Sequence, residues 1–279
     1  MKVLLRLALP CAVIVASASQ AQIASQGAAE QSPTAKVVRN VRHHQASKAT
    51  ATFAPPSADA IIGRDLLLDG GKGVLRFSGQ ADALQIQRFS MAGEVISDPA
   101  QQCRIDVVGD SAIGTRNLGH PDGLQRFTAD IPACPFEFDV LDGAVLAARQ
   151  IQACVFKEAD CQANPSGLWG PDGASLNADA KLKKEARASA EAVMDANYRA
   201  LAARLKDQLK SDALVDGQSR FVADREDTCR GYLHEESHGF CTTRLTEARA
   251  AFLKARIDEL PQDIAQRPEV KSHRHKTSR

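Results

Sequence analysis

The hydrophobic period of this chain changes once, and that change limits the folds open to it. From Ile61 to about Ala148, apolar residues alternate with polar ones: Leu75 and Phe77, Leu84 and Ile86, Ile105 and Val107, then Phe136, Phe138 and Val140. A period of two sets one face of each segment against a core and the other in water, the pattern of half-buried strands. Glycine-containing turns punctuate the run at Asp69-Gly70-Gly71, Gly109-Asp110, Pro121-Asp122-Gly123 and Asp142-Gly143. The last predicts a hairpin joining Phe136–Leu141 to Ala144–Leu146, because Asp-Gly readily supplies positive φ. Several short strands at this spacing predict a small antiparallel sandwich or barrel over residues 59–150.

Beyond residue 176 the step lengthens to three or four. Val193, Met194, Tyr198, Leu201, Leu205 and Leu209 form one stripe, and Leu214, Gln218, Phe221, Arg225, Cys229 and Tyr232 a second. Cys241, Leu245, Ala248 and Phe252 make a third, closing near Leu260 before Pro261. Three helices with short connections predict a helical hairpin or three-helix domain over residues 176–261, so the chain is of the α+β class. A connector over residues 151–175 carries Cys154, Cys161 and the sole tryptophan, Trp169, set among turn formers. Trp169 reads either as a plug in a stiff interdomain loop or as the tip of an exposed binding loop. Aromatics make up only 5% of the chain, which favours the plug, since a lone tryptophan supplies buried area that little else can.

The first residues predict export. Lys2 and Arg6 precede an apolar run from Leu4 to Ala18, and Ala16-Ser17-Ala18 and Ser19-Gln20-Ala21 both fit a small-x-small cleavage rule. The run is shorter than a membrane span requires, so a cleaved signal peptide over residues 1–21 is expected, with no stable span afterwards. Leu9 and Pro10 stand where a lipoprotein signal ending at Cys11 would need small residues. Residues 22–58, rich in Ala, Ser, Gln and Pro, read as a disordered linker in which His43-His44 is simply solvated. Residues 262–279 read as a basic frayed tail. Six cysteines then remain: Cys103, Cys134, Cys154, Cys161, Cys229 and Cys241. An even count in an exported chain predicts three disulfides in an oxidising compartment, periplasmic or secreted, with a connectivity that the sequence does not choose. Cys103 and Cys134 fall at strand edges, where they can cross-link the sheet.

Formal charge is +1, so no field recruits nucleic acid. No nucleophile elbow, phosphate loop, His-Glu-x-x-His or dinucleotide fingerprint occurs. No catalytic residue, cofactor or metal is therefore expected. Cys229, His234, His238 and Cys241 have the composition of a zinc site, but an oxidising compartment favours a Cys229–Cys241 disulfide from the same thiols. Asp224, Glu226, Asp227, Glu235 and Glu236 make an acidic stretch that could steer a basic partner. Acids and bases are equal in number from Ser175 to Leu260, so local pairing with Arg225, Arg230 and Arg244 is the plainer reading.

One run has a resemblance. Tyr198, Leu201 and Leu205 are followed by Gln218-x2-Phe221-x3-Arg225-Glu226-Asp227-x-Cys229, and after Gly239 come Cys241, Leu245-Thr246 and Arg249. Over residues 190–257 this resembles the LprI-type lysozyme inhibitor domain, with Phe221 in place of the usual tryptophan and Glu226 inserted between Arg225 and Asp227. The family's N-terminal cysteine pair sits just before its first helix, whereas Cys154 and Cys161 lie further upstream. The resemblance implies an envelope protein whose partner is a lysozyme or another exported protein, inhibited by occlusion of its cleft. The candidate contact loop is Arg230–Phe240, with His234, Glu235, Glu236 and His238 projecting beside the cysteines. Two other readings are a structural or stress-related protein binding cell-wall material, and an unrecognised hydrolase.

Overall fold

The computed structural model describes residues 56–205 and 207–260, which belong to one compact unit. The expected signal peptide, nearly all of the linker, His43-His44 and the basic tail lie outside the described residues.

Twelve strands form one antiparallel sheet: β1 (Asp65–Leu68), β2 (Lys72–Gln80), β3 (Ala83–Val95), β4 (Gln102–Asp106), β5 (Ile113–Gly114), β6 (Arg116–Asn117), β7 (Arg126–Ala129), β8 (Phe136–Leu141), β9 (Ala144–Ala147), β10 (Cys154–Phe156), β11 (Cys161–Ala163) and β12 (Gly167–Gly170). Helices follow: α1 (Ala180–Arg204), α2 (Gln208–Arg230), α3 (Glu235–His238) and α4 (Phe240–Glu259). The expected α+β class and its order are what the chain adopts. The Asp-Gly hairpin is also present, with Leu141 opposite Ala144 and Gly143 at φ 68°.

The sheet runs β10-β11-β3-β2-β1-β12-β9-β8-β7-β6, with β4 and β5 also paired to β3. It curls until distant strands face each other. Phe77 of β2 lies 5.1 Å from Phe138 of β8, and Phe89 of β3 lies 5.3 Å from Phe136, measured between ring centres. Both pairs are fully or almost fully buried, so period-two alternation has delivered one aromatic row per strand to an enclosed core. β5 pairs with β3 and the following β6 pairs with β7, so this short segment joins two distant parts of the sheet.

Two sequence expectations change here. The connector is not an interdomain loop: it supplies β10, β11 and β12, and β12 sits in mid-sheet between β1 and β9. Its two central residues divide between two cores. Trp169 packs with the sheet's interior, and Leu168 packs with the helices beside Leu141, Tyr232 and Phe240. A strand buried on both faces shows no alternation, so its signal was lost among Asn164, Pro165 and Gly167. The second change is the first helical stripe, which does not run to Leu209. The chain breaks after Arg204, and Asp207 caps α2 by accepting from the Lys210 N–H at 3.3 Å, leaving Leu209 exposed.

All six cysteines are paired: Cys103–Cys161, Cys134–Cys154 and Cys229–Cys241. Cys103 and Cys134 do brace the sheet, each through a connector cysteine, so two of the bonds lie in the β half and one in the helices. Bonds of this kind belong to an oxidising environment. None of the described helices is long and apolar enough to cross a membrane.

Candidate functional site

The residues that carry the sequence motif converge where α1, α2 and α4 meet. The Cys229–Cys241 bond ties the end of α2 to the start of α4, occupying the thiols that a zinc site would need. Phe221 is half-buried between the helices. The guanidinium carbons of Arg225 and Arg249 each lie 5.4 Å from its ring centre, and Arg249 is also 4.8 Å from that of Phe252. Gln218 accepts from Arg249 Nε at 3.1 Å. Arg225 donates to Thr246 Oγ1 at 2.8 Å, and that hydroxyl donates to the Thr242 carbonyl. Tyr198 packs against the same cluster. Burial pushes the Arg249 pKa down, with Tyr198 acting in the opposite direction. Asp227 alone points elsewhere, binding Arg149 at 2.6 Å and Arg230 at 3.2 Å. Of the arginines expected to pair with local acids, Arg230 and Arg244 do so, whereas Arg225 meets a hydroxyl and a ring.

The expected contact loop divides between interior and surface. His234 takes a left-handed φ of 59° and, with Glu236, remains on the surface. Glu235 turns inward, and its carboxylate accepts from the Cys241 and Thr242 N–H groups at 2.9 and 2.8 Å. These are two of the donors that the start of α4 would otherwise leave open. His238 is buried. Its Nδ1 accepts from the Phe240 N–H at 3.1 Å, and Nε2 donates to the Leu233 carbonyl at 2.9 Å. Both ring nitrogens are committed to the fold, so His238 does not project as expected. Tyr232 donates to the Pro171 carbonyl at 2.7 Å. Burial raises its pKa, with Glu235, Asp69 and Asp172 adding to the effect. Gly170 beside it is required by close approach, since a Cβ there would stand 2.7 Å from Tyr232 Oη. Replacing Glu235 with Ala should cost about 2 kcal/mol, because two charge-assisted bonds to a helix start are lost together. Urea unfolding checks this, and an unchanged midpoint would contradict the capping role.

A cavity of about 260 Å³ opens where the sheet meets the helices, lined by Arg64, Asp142, Pro171, Lys183, Phe240 and Arg244. Arg244 binds Asp142 at 3.1 Å and Glu247 at 2.6 Å. Burial raises the Glu247 pKa against the pull of Arg244. Arg244 and its two acids thus spend their charge on one another, and Lys183 donates to the Leu176 carbonyl at 2.7 Å.

A third feature, with no signal in the sequence, is the loop over residues 148–153. Ile151 at its tip is fully exposed, yet the loop is held by five interactions. Ser166 Oγ accepts from the Gln150 N–H at 2.8 Å and donates to the Ala148 carbonyl at 3.0 Å. Gln150 Nε2 donates to the Pro135 carbonyl at 2.6 Å. The Cys134–Cys154 bond fixes the exit, and the Arg149–Asp227 pair fastens the entrance to α2. An isolated isoleucine between Gln150 and Gln152 carries no pattern that sequence reading could have used.

Comparison with family models, curated proteins and solved structures gives no significant match to this chain.

Proposed function

We propose that this chain is an exported envelope protein, periplasmic or secreted, that acts by binding another protein and occluding its cleft, with lysozyme as the target class. The observation that carries this reading is the clamped loop presenting Ile151. A fully exposed branched side chain on a mobile loop would gain little from docking, because ordering the loop offsets the burial. Here the loop is already ordered, so most of the burial energy is available to the complex. The side chain is the right size to enter an apolar subsite, and Arg149 beside it is held by Asp227 at 2.6 Å, so the tip presents an apolar group on a fixed base. The resemblance of residues 190–257 to LprI-type domains and the signal-like start support the same reading. Inhibition of this kind needs no chemistry from the inhibitor itself.

The test is lysis of a peptidoglycan suspension by a c-type lysozyme with the purified full chain added. Wild-type protein should slow lysis at micromolar concentration. Ile151→Asp should weaken that effect about thirtyfold or more, the equivalent of about 2 kcal/mol of lost side-chain burial, with thermal melting unchanged. Lysis unaffected by wild-type protein would remove the inhibitor reading. Equal inhibition by the variant would remove the loop from it.

A further inference from the structure

Five arginines among the described residues are half-buried: Arg76, Arg126, Arg225, Arg244 and Arg249. Three of them hold a carboxylate. Arg76 binds Asp65 at 2.8 Å, Arg126 binds Asp139 at 2.6 Å, and Arg244 binds Glu247 and Asp142. Arg225 and Arg249 have no carboxylate within ion-pair distance among the described residues, and these are the two that share the Phe221 ring. Removing a cation from water without an opposite charge is costly. A fold that supplies acids to its other half-buried arginines leaves this pair with no acid partner among the described residues.

We infer that Arg225, Arg249 and the Phe221 ring between them form a carboxylate-recognition site, and that the partner it fits is an acidic segment of a protein. The free donors are in the right places for this. Arg249 uses Nε on Gln218, and Arg225 uses Nη1 on Thr246, so each guanidinium keeps further N–H groups unassigned. A guanidinium fork matches the two oxygens of a carboxylate. Gly217 of α2 lies beside Arg249, with a Cβ built there 3.6 Å from Arg249 Nη2. Asp224 and Glu226, the neighbouring acids on α2, form no ion pair with either arginine, and Asp227 is engaged by Arg149 and Arg230. Half-buried Phe221 and Phe252 add an apolar shelf, and arginine with aromatic surface is the composition of energetically dominant contact points. A protein segment uses both the shelf and the charge, whereas a free anion uses the charge alone.

This site is independent of the Ile151 loop, and its test does not use lysozyme. Fluorescence anisotropy of a labelled short peptide of alternating Glu and Leu is measured with the full chain, beside its Gln–Leu counterpart. The Glu peptide should bind about tenfold tighter and weaken as salt rises. The double variant R225Q/R249Q should bind both peptides alike. The double variant R225K/R249K keeps charge and side-chain length, which guards against a misfolded Gln pair, and should lose about fivefold for want of the fork. Equal binding of the two peptides by wild-type protein would overturn the inference. So would undiminished discrimination in a folded R225Q/R249Q chain, or displacement of the peptide by an equal concentration of inorganic phosphate.

Discussion

Replacing Trp169 with Ala is expected to lower the unfolding free energy by about 4 kcal/mol, a large share of what a domain of this size possesses. Trp169 is fully buried in the middle of β12, with its ring 5.6 Å from that of Phe89 in an edge-on arrangement. Its Nε1–H donates to the Pro165 carbonyl at 2.8 Å, so truncation leaves both a large void and a backbone acceptor without its donor. The void cannot close easily, because strands on both sides of β12 fix its position. Urea unfolding followed by circular dichroism measures the effect. A loss below about 1 kcal/mol would mean that the aromatic core can collapse around the gap.

Removing the Cys103–Cys161 bond by paired Ser substitution should cost a comparable amount. The bond joins residues 58 apart, and the loop-closure entropy it withholds from the unfolded chain is worth about 4 kcal/mol. Cys229–Cys241 spans only 12 residues, and the same reasoning gives about 3 kcal/mol for its removal. The order of the two is therefore a sharper test than either size. Melting of the two double-Ser variants, each beside wild type, decides it. If the short helical bond proves the more costly, native contacts around Cys229 and Cys241 outweigh chain entropy.

Legibility in the sequence followed the range of the interactions involved. Period-two alternation identified β2, β3 and β8, because each has one dry face and one wet face. The Asp142-Gly143 hairpin was legible because its two strands are adjacent in the chain. The three helical stripes were legible too, although the break at Asp207 had to compete with an apolar pattern that ran on to Leu209. Nothing local identified β12, whose partners β1 and β9 lie in distant parts of the chain and whose two faces are both dry. The Cys229–Cys241 bond was legible because its cysteines lie 12 residues apart, whereas the pairing of the four sheet cysteines was hidden for the same reason as β12. At the site, the motif residues were found by spacing and do gather around Phe221. Their electrostatic state was not legible, since the absence of acids beside Arg225 and Arg249 among the described residues depends on packing across three helices. Histidines 234 and 238 were indistinguishable in sequence. Only the turn geometry places one outside and folds the other onto Leu233 and Phe240.

The position of β12 also bears on the order in which the fold can be completed. Leu67 of β1 is registered against Gly170 of β12, so one edge of the first strand waits for a partner made about a hundred residues later. Until that strand arrives, neither the sheet interior that receives Trp169 nor the helical interface that receives Leu168 can be sealed. Assembly of this kind is dominated by non-local contacts and is intrinsically slow. A chain that closes late keeps its first strands open through most of its synthesis.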